Sequence, residues 1–374
     1  NMQIRKIDTN QKRDVRKFIR FPFQLYKGNK FWVPPLISDM ELVLDRNRHP
    51  FYQHSDAEFL IAESEGEVLG RLAVIHNRNY CAVHQETTGF FYYADFIDDP
   101  QVVNGLLTAA LEWAKQRGLT RLMGPRGMLR SAAIGMLKEG FEYLPAVGQN
   151  YNHAYYNTHM DRFGFEKETD HFTGILNRNS HFPPRMYEAA ERLKQRGEYW
   201  VKTFTSRKEM YALIPEVDRI HHEAFRNNPG FYPSTPEEFS LIARSMIAIA
   251  DPRYIKIIMK GNEVAGFALT YANISRGLQR ARGKLFPLGW YYILREKSIS
   301  PIIDGNGIGL LPQYQGMGAN ILLYTELDQT LRSRPHLEKM YLVQVDERNF
   351  KSKSDMETIG TNWCIAHRTY RINI

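Results

Sequence analysis

The chain of 374 residues contains only two cysteines, Cys81 and Cys364. Two thiols far apart in sequence support neither a disulfide framework nor a cysteine-based metal site, so we predict no bound metal. The sequence also lacks an apolar run of roughly 20 residues, the length that a membrane-spanning helix needs, and an apolar signal core near its start. These absences lead us to expect a cytoplasmic protein without a membrane span.

Runs of five or more basic residues are absent as well, although the formal net charge is +8. An excess of positive charge favours a polyanionic partner, and a phosphorylated cofactor, a nucleic acid or an anionic membrane would each satisfy it. Because the basic residues are spread along the chain, we do not expect a nucleic-acid-binding tail. With 43% hydrophobic and 24% charged residues, the composition is that of a globular protein, and the length favours two domains.

An internal repeat organises the chain. Two apolar strands between Phe59 and Ile75 are joined by a short polar turn, which predicts a hairpin. The same arrangement returns between Ile257 and Leu269. Three residues match at a constant offset between the copies: Glu67, Val68 and Gly70 in the first, and Glu263, Val264 and Gly266 in the second.

Each hairpin is followed by an amphipathic helix and then by a strand. Apolar residues recur at helical spacing from Val103 to Ala114 and again from Ile321 to Leu331. Gly118 is placed to end the first helix and Pro335 the second.

A further helix, closed by Gly164 in one copy and Gly360 in the other, completes each repeat. The order of elements predicts a mixed α/β (α+β) domain, with a mostly antiparallel central sheet flanked by helices. We place the two domains at residues 1–180 and 181–374, and we predict a helix from Pro184 to Arg196 near the boundary.

In the second copy, an apolar strand ending at Leu311 leads into a loop whose glycines, Gly316 and Gly318, precede a helix. Glycine lets the backbone approach a ligand closely, and the N–H groups and dipole of a helix N-terminus favour an anion such as a pyrophosphate. A tight turn without a ligand is the alternative. The loop lacks the Gly-Lys-Ser/Thr of a nucleotide-binding P-loop and the spacing of a dinucleotide-binding fingerprint.

The first copy differs at the equivalent point. Its loop offers two carboxylates, one of them Asp99, and Pro100, which has no N–H group. These residues would repel a pyrophosphate, so we predict that the first domain binds no coenzyme A.

The pattern Gln313-x-x-Gly316-x-Gly318 matches the Q/R-x-x-G-x-G/A signature of the GNAT N-acyltransferase superfamily, and Asn349 stands ahead of Gly360 at the spacing of that family's last motif. The chain therefore resembles this superfamily. The Phe-Trp-Val-Pro-Pro-Leu segment at residues 31–36 and the Tyr-Arg-Ile ending resemble bacterial tandem-GNAT proteins in particular.

The resemblance implies two tandem GNAT-like domains and the binding of acetyl-CoA or a longer acyl-CoA. The residues that it implies for cofactor binding are Leu310, Leu311, Gln313, Tyr314, Gln315, Gly316, Met317, Gly318, Ala319, Asn320 and Asn349.

Amide formation from a thioester needs a neutral amine, whereas a lysine-like amine has a pKa of about 10.4, so a base must take a proton. Glu347 is the first candidate and Asp304 the second, with a solvated carboxylate as the alternative for Glu347. The resemblance also implies a tyrosine as general acid where Met356 stands. Whether Tyr324 or Tyr370 replaces it is left open.

We therefore predict an acyl-CoA-dependent N-acyltransferase that acts on a small-molecule or protein amine. N-acetyl transfer is the favoured reaction. One alternative is a non-catalytic acyl-CoA-binding or regulatory protein. Another is an aminoacyl-tRNA-dependent transferase, with tRNA as the partner. A homodimer is left open.

Three other groups of residues are assigned less specific roles. The pair His221 and His222 lacks the spacing of a metal site. An aromatic group is expected to pack within the first domain, with the lining of a cleft as the alternative: Tyr151, His153, Tyr155, Tyr156 and His159. The segment 287–292 is expected to shape the acceptor pocket.

Overall fold

The computed structural model describes residues 1–180, 182–316 and 318–374. Its strands are β1 (Gln3–Lys6), β2 (Asp56–Ser64), β3 (Glu67–His76), β4 (Thr88–Phe96), β5 (Arg121–Gly124), β6 (Met136–Glu139), β7 (Glu166–Asn177), β8 (Tyr199–Lys202), β9 (Ile255–Lys260), β10 (Glu263–Ala272), β11 (Ile302–Leu310), β12 (Lys339–Asp346) and β13 (Asn362–Asn373). Its α-helices are α1 (Lys12–Leu25), α2 (Ile37–Leu44), α3 (Arg78–His84), α4 (Pro100–Gln116), α5 (Tyr155–Phe163), α6 (Pro184–Gln195), α7 (Arg207–Phe225), α8 (Pro236–Ile249), α9 (Ser275–Ala281), α10 (Gly289–Ile299), α11 (Ala319–Arg332) and α12 (Phe350–Glu357).

The chain forms two compact units that do not follow a single linear division. Unit 1 comprises residues 1–171, 275–293 and 365–374, and unit 2 comprises residues 172–274 and 294–364. The predicted domains, 1–180 and 181–374, differ from these units because α9 and most of β13, which belong to the second half of the sequence, lie in unit 1. The hydrophobic pattern of a sequence cannot reveal which unit an element joins, since it indicates that a face is buried but not which residues cover it.

The sheet of unit 1 is built on the first predicted hairpin. Strands β2 and β3 pair antiparallel, β3 pairs antiparallel with β4, and β4 then runs parallel to β5. β13 pairs antiparallel with β5 and β6. Helix α4 packs a fully buried face on this sheet, where Val102, Val103, Leu106, Leu107 and Ala110 are at most 1% exposed. The helix ends where Gly118 adopts a positive φ of 75°, as the sequence predicts.

Unit 2 repeats this design. β9 and β10 form the second predicted hairpin, β10 pairs antiparallel with β11, and β11 runs parallel to β12. Helix α11 buries Leu322, Leu327 and Leu331 completely. The predicted helix near the boundary is α6. The α/β fold predicted from the repeat is thus confirmed.

Candidate active site

The candidate site lies in unit 2, where β11 ends and α11 begins. The Leu311 N–H donates to the carbonyl of Ala265 at 2.8 Å, which holds the chain on the sheet, and residues Pro312–Tyr314 form one 3-10 turn. Gly316 and Gly318 then adopt positive φ values of 77° and 85°. This left-handed conformation costs other L-residues roughly 1–2 kcal/mol, which explains glycine at both positions.

Several backbone N–H groups at this turn have no acceptor among the residues that the structure describes. They belong to Gly316, Gly318, Ala319 and Asn320, whereas the next N–H, that of Ile321, donates to the carbonyl of Gly318 at 3.0 Å. Gly318 is the N-cap of α11 and brings no capping side chain. Such a helix end is suited to bind an anion. Met317, also predicted to bind the cofactor, lies outside the described residues.

Side chains of the predicted motif hold this turn in place. Leu310 and Leu311 are buried in the core of unit 2. The Tyr314 hydroxyl donates to Glu263 at 2.6 Å, and this hydrogen bond raises the pKa of Tyr314 to about 12. The Gln315 amide donates to the carbonyl of Leu310 at 3.2 Å. The side chain of Gln313 is exposed.

Next to this turn, β11 and β12 pair only over their first halves. The parallel register runs from Ile302 opposite Lys339 to Gly305 opposite Leu342 and ends there, although β11 continues to Leu310 and β12 to Asp346. Residues 307–309 and 343–346 are only half-buried. We call these two stretches, over which β11 and β12 no longer pair with each other, the open edge. An open edge between parallel strands offers backbone N–H and C=O groups to an extended ligand.

The open edge is not among the features predicted above, but the sequence carries a signal for it. Glycines alternate along β11 at Gly305, Gly307 and Gly309. Gly307 has a positive φ of 108°, and it lies within the shift of the β10–β11 register, since Ala268 pairs with Ile308 but Thr270 pairs with Gly305. Glycine inside a strand often marks a bulge or the close approach of another group.

The two predicted bases occupy different environments. Asp304 is only 3% exposed, and its Oδ1 accepts a hydrogen bond from the Asn273 amide at 3.0 Å. It lies in the paired part of β11. Glu347 is half-buried and directly follows β12, at the end of the open edge. The carbonyl of Asn349 accepts from the N–H of Lys353 in the first turn of α12. Glu347 and Asn349 are therefore next to the open edge in the chain.

The three positions considered for the general acid lie in different surroundings. Met356, at the position of the expected tyrosine, is 6% exposed and belongs to the core of unit 2. Tyr370 lies in unit 1, where its hydroxyl donates to Asn157 at 2.6 Å. Tyr324 lies on α11 with its hydroxyl 3.5 Å from Asp355, and burial followed by the charge of Asp355 raises its pKa well above the usual value. Of the two tyrosines, Tyr324 is therefore the one in the same unit as the glycine turn.

In unit 1, the helix that follows the equivalent turn is capped by a side chain. Asp99 is the N-cap of α4, and its carboxylate accepts from the N–H of Gln101 at 2.9 Å. The edge of β4 beyond its pairing with β5 is occupied as well, because the Arg126 N–H donates to the carbonyl of Phe91 at 2.9 Å. The Tyr92 hydroxyl donates to the carbonyl of Ala133 at 2.8 Å.

The remaining predicted groups have structural surroundings. Tyr156 is 1% exposed, and its hydroxyl lies 2.9 Å from Asp95 and 2.6 Å from the Tyr26 hydroxyl, which fits the predicted packing role. His221 and His222 lie on α7, and no cluster of metal-ligating side chains occurs within the ranges described above. Within the same ranges, every helix is too short or too polar to cross a bilayer. The segment 287–292 belongs to unit 1 and is largely exposed.

No protein-family model matches the chain. It is 24% identical to protein YghO of Escherichia coli (strain K12) over 375 residues, which cover 97% of this chain and 94% of YghO. It is 25% identical to bacterial ceramide synthase of Caulobacter vibrioides over 295 residues, which cover 79% of this chain and 76% of that protein.

Solved structures share the fold at low sequence identity. A tandem GNAT protein from the clavulanic acid biosynthesis pathway matches with a TM-score of 0.57 at 12% identity, covering 100% of this chain and 98% of that one. A GCN5-related N-acetyltransferase from Sphaerobacter thermophilus matches with a TM-score of 0.53 at 12% identity, covering 100% and 95%. The fold is that of the tandem GNAT proteins, and the predicted resemblance is confirmed.

Proposed function

We propose that this chain is an acyl-CoA-dependent N-acyltransferase whose unit 2 binds the acyl-CoA. The observation that carries the proposal is the continuity of two features: the uncapped N-terminus of α11 and the open edge between β11 and β12. The first suits the pyrophosphate of CoA, since a hydrogen bond to a charged group contributes about 1.5–3 kcal/mol. The second suits the extended, amide-containing pantetheine arm.

The chemistry requires one new bond and one broken bond. The amine nitrogen attacks the thioester carbonyl, the C–N bond forms, the C–S bond breaks, the amine loses a proton and the departing sulfur gains one. Glu347 is the better placed of the two predicted bases, because it directly follows the open edge while the carboxylate of Asp304 is buried and bonded to Asn273. Tyr324 is the candidate donor to the sulfur.

For the acceptor, the comparisons favour one chemical class. A ceramide is the amide of a long-chain amino alcohol, and one relative over 79% of this chain is a bacterial ceramide synthase. We therefore propose a long-chain amino alcohol as the first acceptor to assay, with a long-chain acyl-CoA beside acetyl-CoA as the donor.

A second candidate function is acyl-CoA binding without transfer. It is favoured by Met356, which fills the expected tyrosine position with a buried thioether that cannot donate a proton. Release of free thiol from acyl-CoA in the presence of the amine separates the two functions, since a binding protein would bind CoA and release none.

Calorimetric titration of CoA into the wild type and into Gly316→Glu and Gly318→Glu tests the site. Each variant places a carboxylate among the N–H groups at the start of α11, so we expect CoA affinity to fall at least about tenfold, the equivalent of one lost charged hydrogen bond. Gly118→Glu is the matched control, because Gly118 also has a positive φ, of 75°, and open space around it. Unchanged CoA binding in both loop variants would refute the proposed site.

A further inference from the structure

The segment between β10 and β11 carries an unusual surface. Residues 275–293 belong to unit 1 and contain four basic residues, Arg276, Arg280, Arg282 and Lys284, but no aspartate or glutamate. Five large apolar side chains follow, and each is at least 36% exposed. We call them the apolar tip: Leu285 (36%), Phe286 (76%), Leu288 (54%), Trp290 (45%) and Tyr291 (49%).

Within the part of the chain that the structure describes, the apolar tip is the densest group of exposed large apolar side chains. Among the described residues, eleven large hydrophobic side chains are exposed, and five of them fall within 285–291. Single exposed apolar residues are ordinary, whereas a contiguous group marks a surface that contacts a protein, a ligand or a membrane.

The segment is held firmly on unit 1. Ser275 is fully buried, and its hydroxyl donates to the carbonyl of Pro145 at 2.9 Å. The Arg276 guanidinium and the Gln279 amide each donate to the carbonyl of Lys30 at 2.9 Å. The N–H of Ile37 donates to the carbonyl of Gly283 at 2.8 Å. The exposed tip is thus presented by an ordered base and is not a frayed loop.

The turn at the tip is ordered as well. The N–H of Trp290 donates to the carbonyl of Leu285, and its indole N–H donates to the carbonyl of Pro287, both at 2.8 Å. These bonds fix the indole at the surface. An aromatic ring with its polar edge satisfied and its apolar body exposed is typical of side chains at a membrane–water interface.

The basic residues form a depression beside the tip. Arg276, Gln279, Arg280, Arg282 and Tyr292 line an open cavity of about 840 Å³. Arg280, Arg282 and Lys284 are exposed, and none of them pairs with a carboxylate in the described part of the chain. Guanidinium groups without a carboxylate partner match the phosphate groups of lipids.

We propose that residues 275–293 dock unit 1 on the surface of an anionic phospholipid bilayer, with the apolar tip entering the interface and the basic residues contacting lipid phosphates. Charge complementarity selects this occupant, because four cations without a single carboxylate adjoin the apolar side chains. A nucleic acid would match the cations but would gain little from Leu285, Phe286 and Leu288. The inference rests on the surface alone and does not depend on the acyl transfer proposed above.

The test measures binding of the full chain to vesicles by co-sedimentation. We expect vesicles of phosphatidylcholine with one quarter phosphatidylglycerol to bind at least about tenfold better than phosphatidylcholine alone, since each basic residue near an anionic surface contributes about fivefold. Phe286→Ser with Leu288→Ser, and separately Arg280→Glu with Arg282→Glu, should each lower the partition coefficient at least about tenfold.

Matched controls change the same residue types elsewhere. Val83→Ser with Tyr211→Ser removes side chains that are 52% and 50% exposed, and Lys208→Glu with Arg244→Glu reverses two exposed cations. Both should bind vesicles like the wild type. Brominated lipid chains should quench tryptophan fluorescence in the wild type and less in Trp290→Phe.

Four outcomes would overturn the inference. The wild type could fail to bind anionic vesicles, or the tip variants could bind them unchanged. Light scattering could show a dimer that Phe286→Ser dissociates, which would assign the tip to a second copy of the chain. Finally, tRNA could bind with a salt dependence that only the arginine variants lose. Titration of CoA into the same variants distinguishes these results from a failure of the proposed activity.

Discussion

The two units share the same local order of strand, turn and helix, but they differ in how the start of the helix and the neighbouring strand edge are bonded. In unit 1, the Asp99 carboxylate caps α4, and the Arg126 N–H and the Tyr92 hydroxyl bond along the edge of β4. In unit 2, the N-cap is Gly318 without a side chain, and the β11–β12 pairing ends at Gly305. The anion site that we propose for unit 2 is therefore not a property of the repeat itself. It depends on whether other groups of the chain already cap the helix N-terminus and bond to the neighbouring strand edge.

The largest expected effect concerns the open edge of unit 2. Glu347→Gln cannot accept a proton, so we expect kcat for acyl transfer to fall about 10²- to 10⁴-fold while the Kd for CoA stays unchanged. Thiol release from acyl-CoA in the presence of the long-chain amino alcohol measures kcat. Glu338→Gln, at an exposed position, is the control.

Asp304→Asn distinguishes between the two candidate bases. Because Asp304 is buried and bonded to Asn273, we expect this variant to lower stability more than the kcat of the folded fraction. A larger loss of kcat in Asp304→Asn than in Glu347→Gln would reverse the assignment of the base.

The next effect concerns the edge of β4 in unit 1, where we expect the bonded side chains to contribute to stability and not to CoA binding. The Asn150 amide donates to the carbonyl of Gly135 at 2.8 Å, and its oxygen lies 3.1 Å from the Tyr92 hydroxyl. Asn150→Ala should lower the free energy of unfolding by about 2 kcal/mol, because it removes the amide donor of the buried Gly135 carbonyl. Urea denaturation measures this loss, with the exposed Asn227→Ala as control. A simultaneous loss of CoA affinity would break the comparison between the units.

A pH effect of similar or smaller size arises at His367, whose Nε2 lies 2.8 Å from the backbone carbonyl of Asn150. Since that carbonyl can only accept, His367 Nε2 carries the proton. Burial lowers the pKa of His367 to about 4. Between pH 4 and about 6.5, the unfolded chain therefore binds a proton that the folded chain does not, and stability falls as the pH falls through this window.

His367→Gln keeps a donor for the carbonyl but removes this titration. The wild type should lose up to about 2 kcal/mol more than the variant between pH 7 and pH 5. Denaturation curves across this range provide the measurement, with His336→Gln as control. Parallel pH profiles for wild type and His367→Gln would contradict the prediction.

The smallest effect concerns the cap of α4. Asp99→Ala should cost about 1 kcal/mol of stability, whereas Asp99→Asn should retain most of it, because an amide oxygen also accepts from the Gln101 N–H. Thermal unfolding compares the two variants. Neither should gain CoA binding, since the edge of β4 stays occupied. A second CoA site appearing in Asp99→Ala would show that the carboxylate alone closes unit 1.

Features set by neighbouring residues were predictable from the sequence. The two hairpins, α4 with its end at Gly118, and the start of α11 after Gly318 all follow from periodicity and glycine positions. Features set by strand pairing were not. The open edge depends on where β11 leaves β12, and a period-two pattern describes the faces of a strand but not its edges.

The segment 287–292 shows the same limit. Its aromatic residues were expected to shape the acceptor pocket of the second domain, but the structure places them in unit 1 with most side chains exposed. The roles of Glu347, Asn349 and the other cofactor-binding residues stay predictions, since their test is the binding and kinetic measurements above.

The assignment of residues 365–374 to unit 1 has a consequence for synthesis of the protein. β5 and β6 both pair with β13, so two strands that precede unit 2 in the chain wait for a partner that is made after it. On the ribosome, unit 1 must therefore hold an incomplete sheet, with exposed strand edges, while all of unit 2 is being synthesised. Chaperones that cover unpaired strands would be expected to act on this chain during that interval.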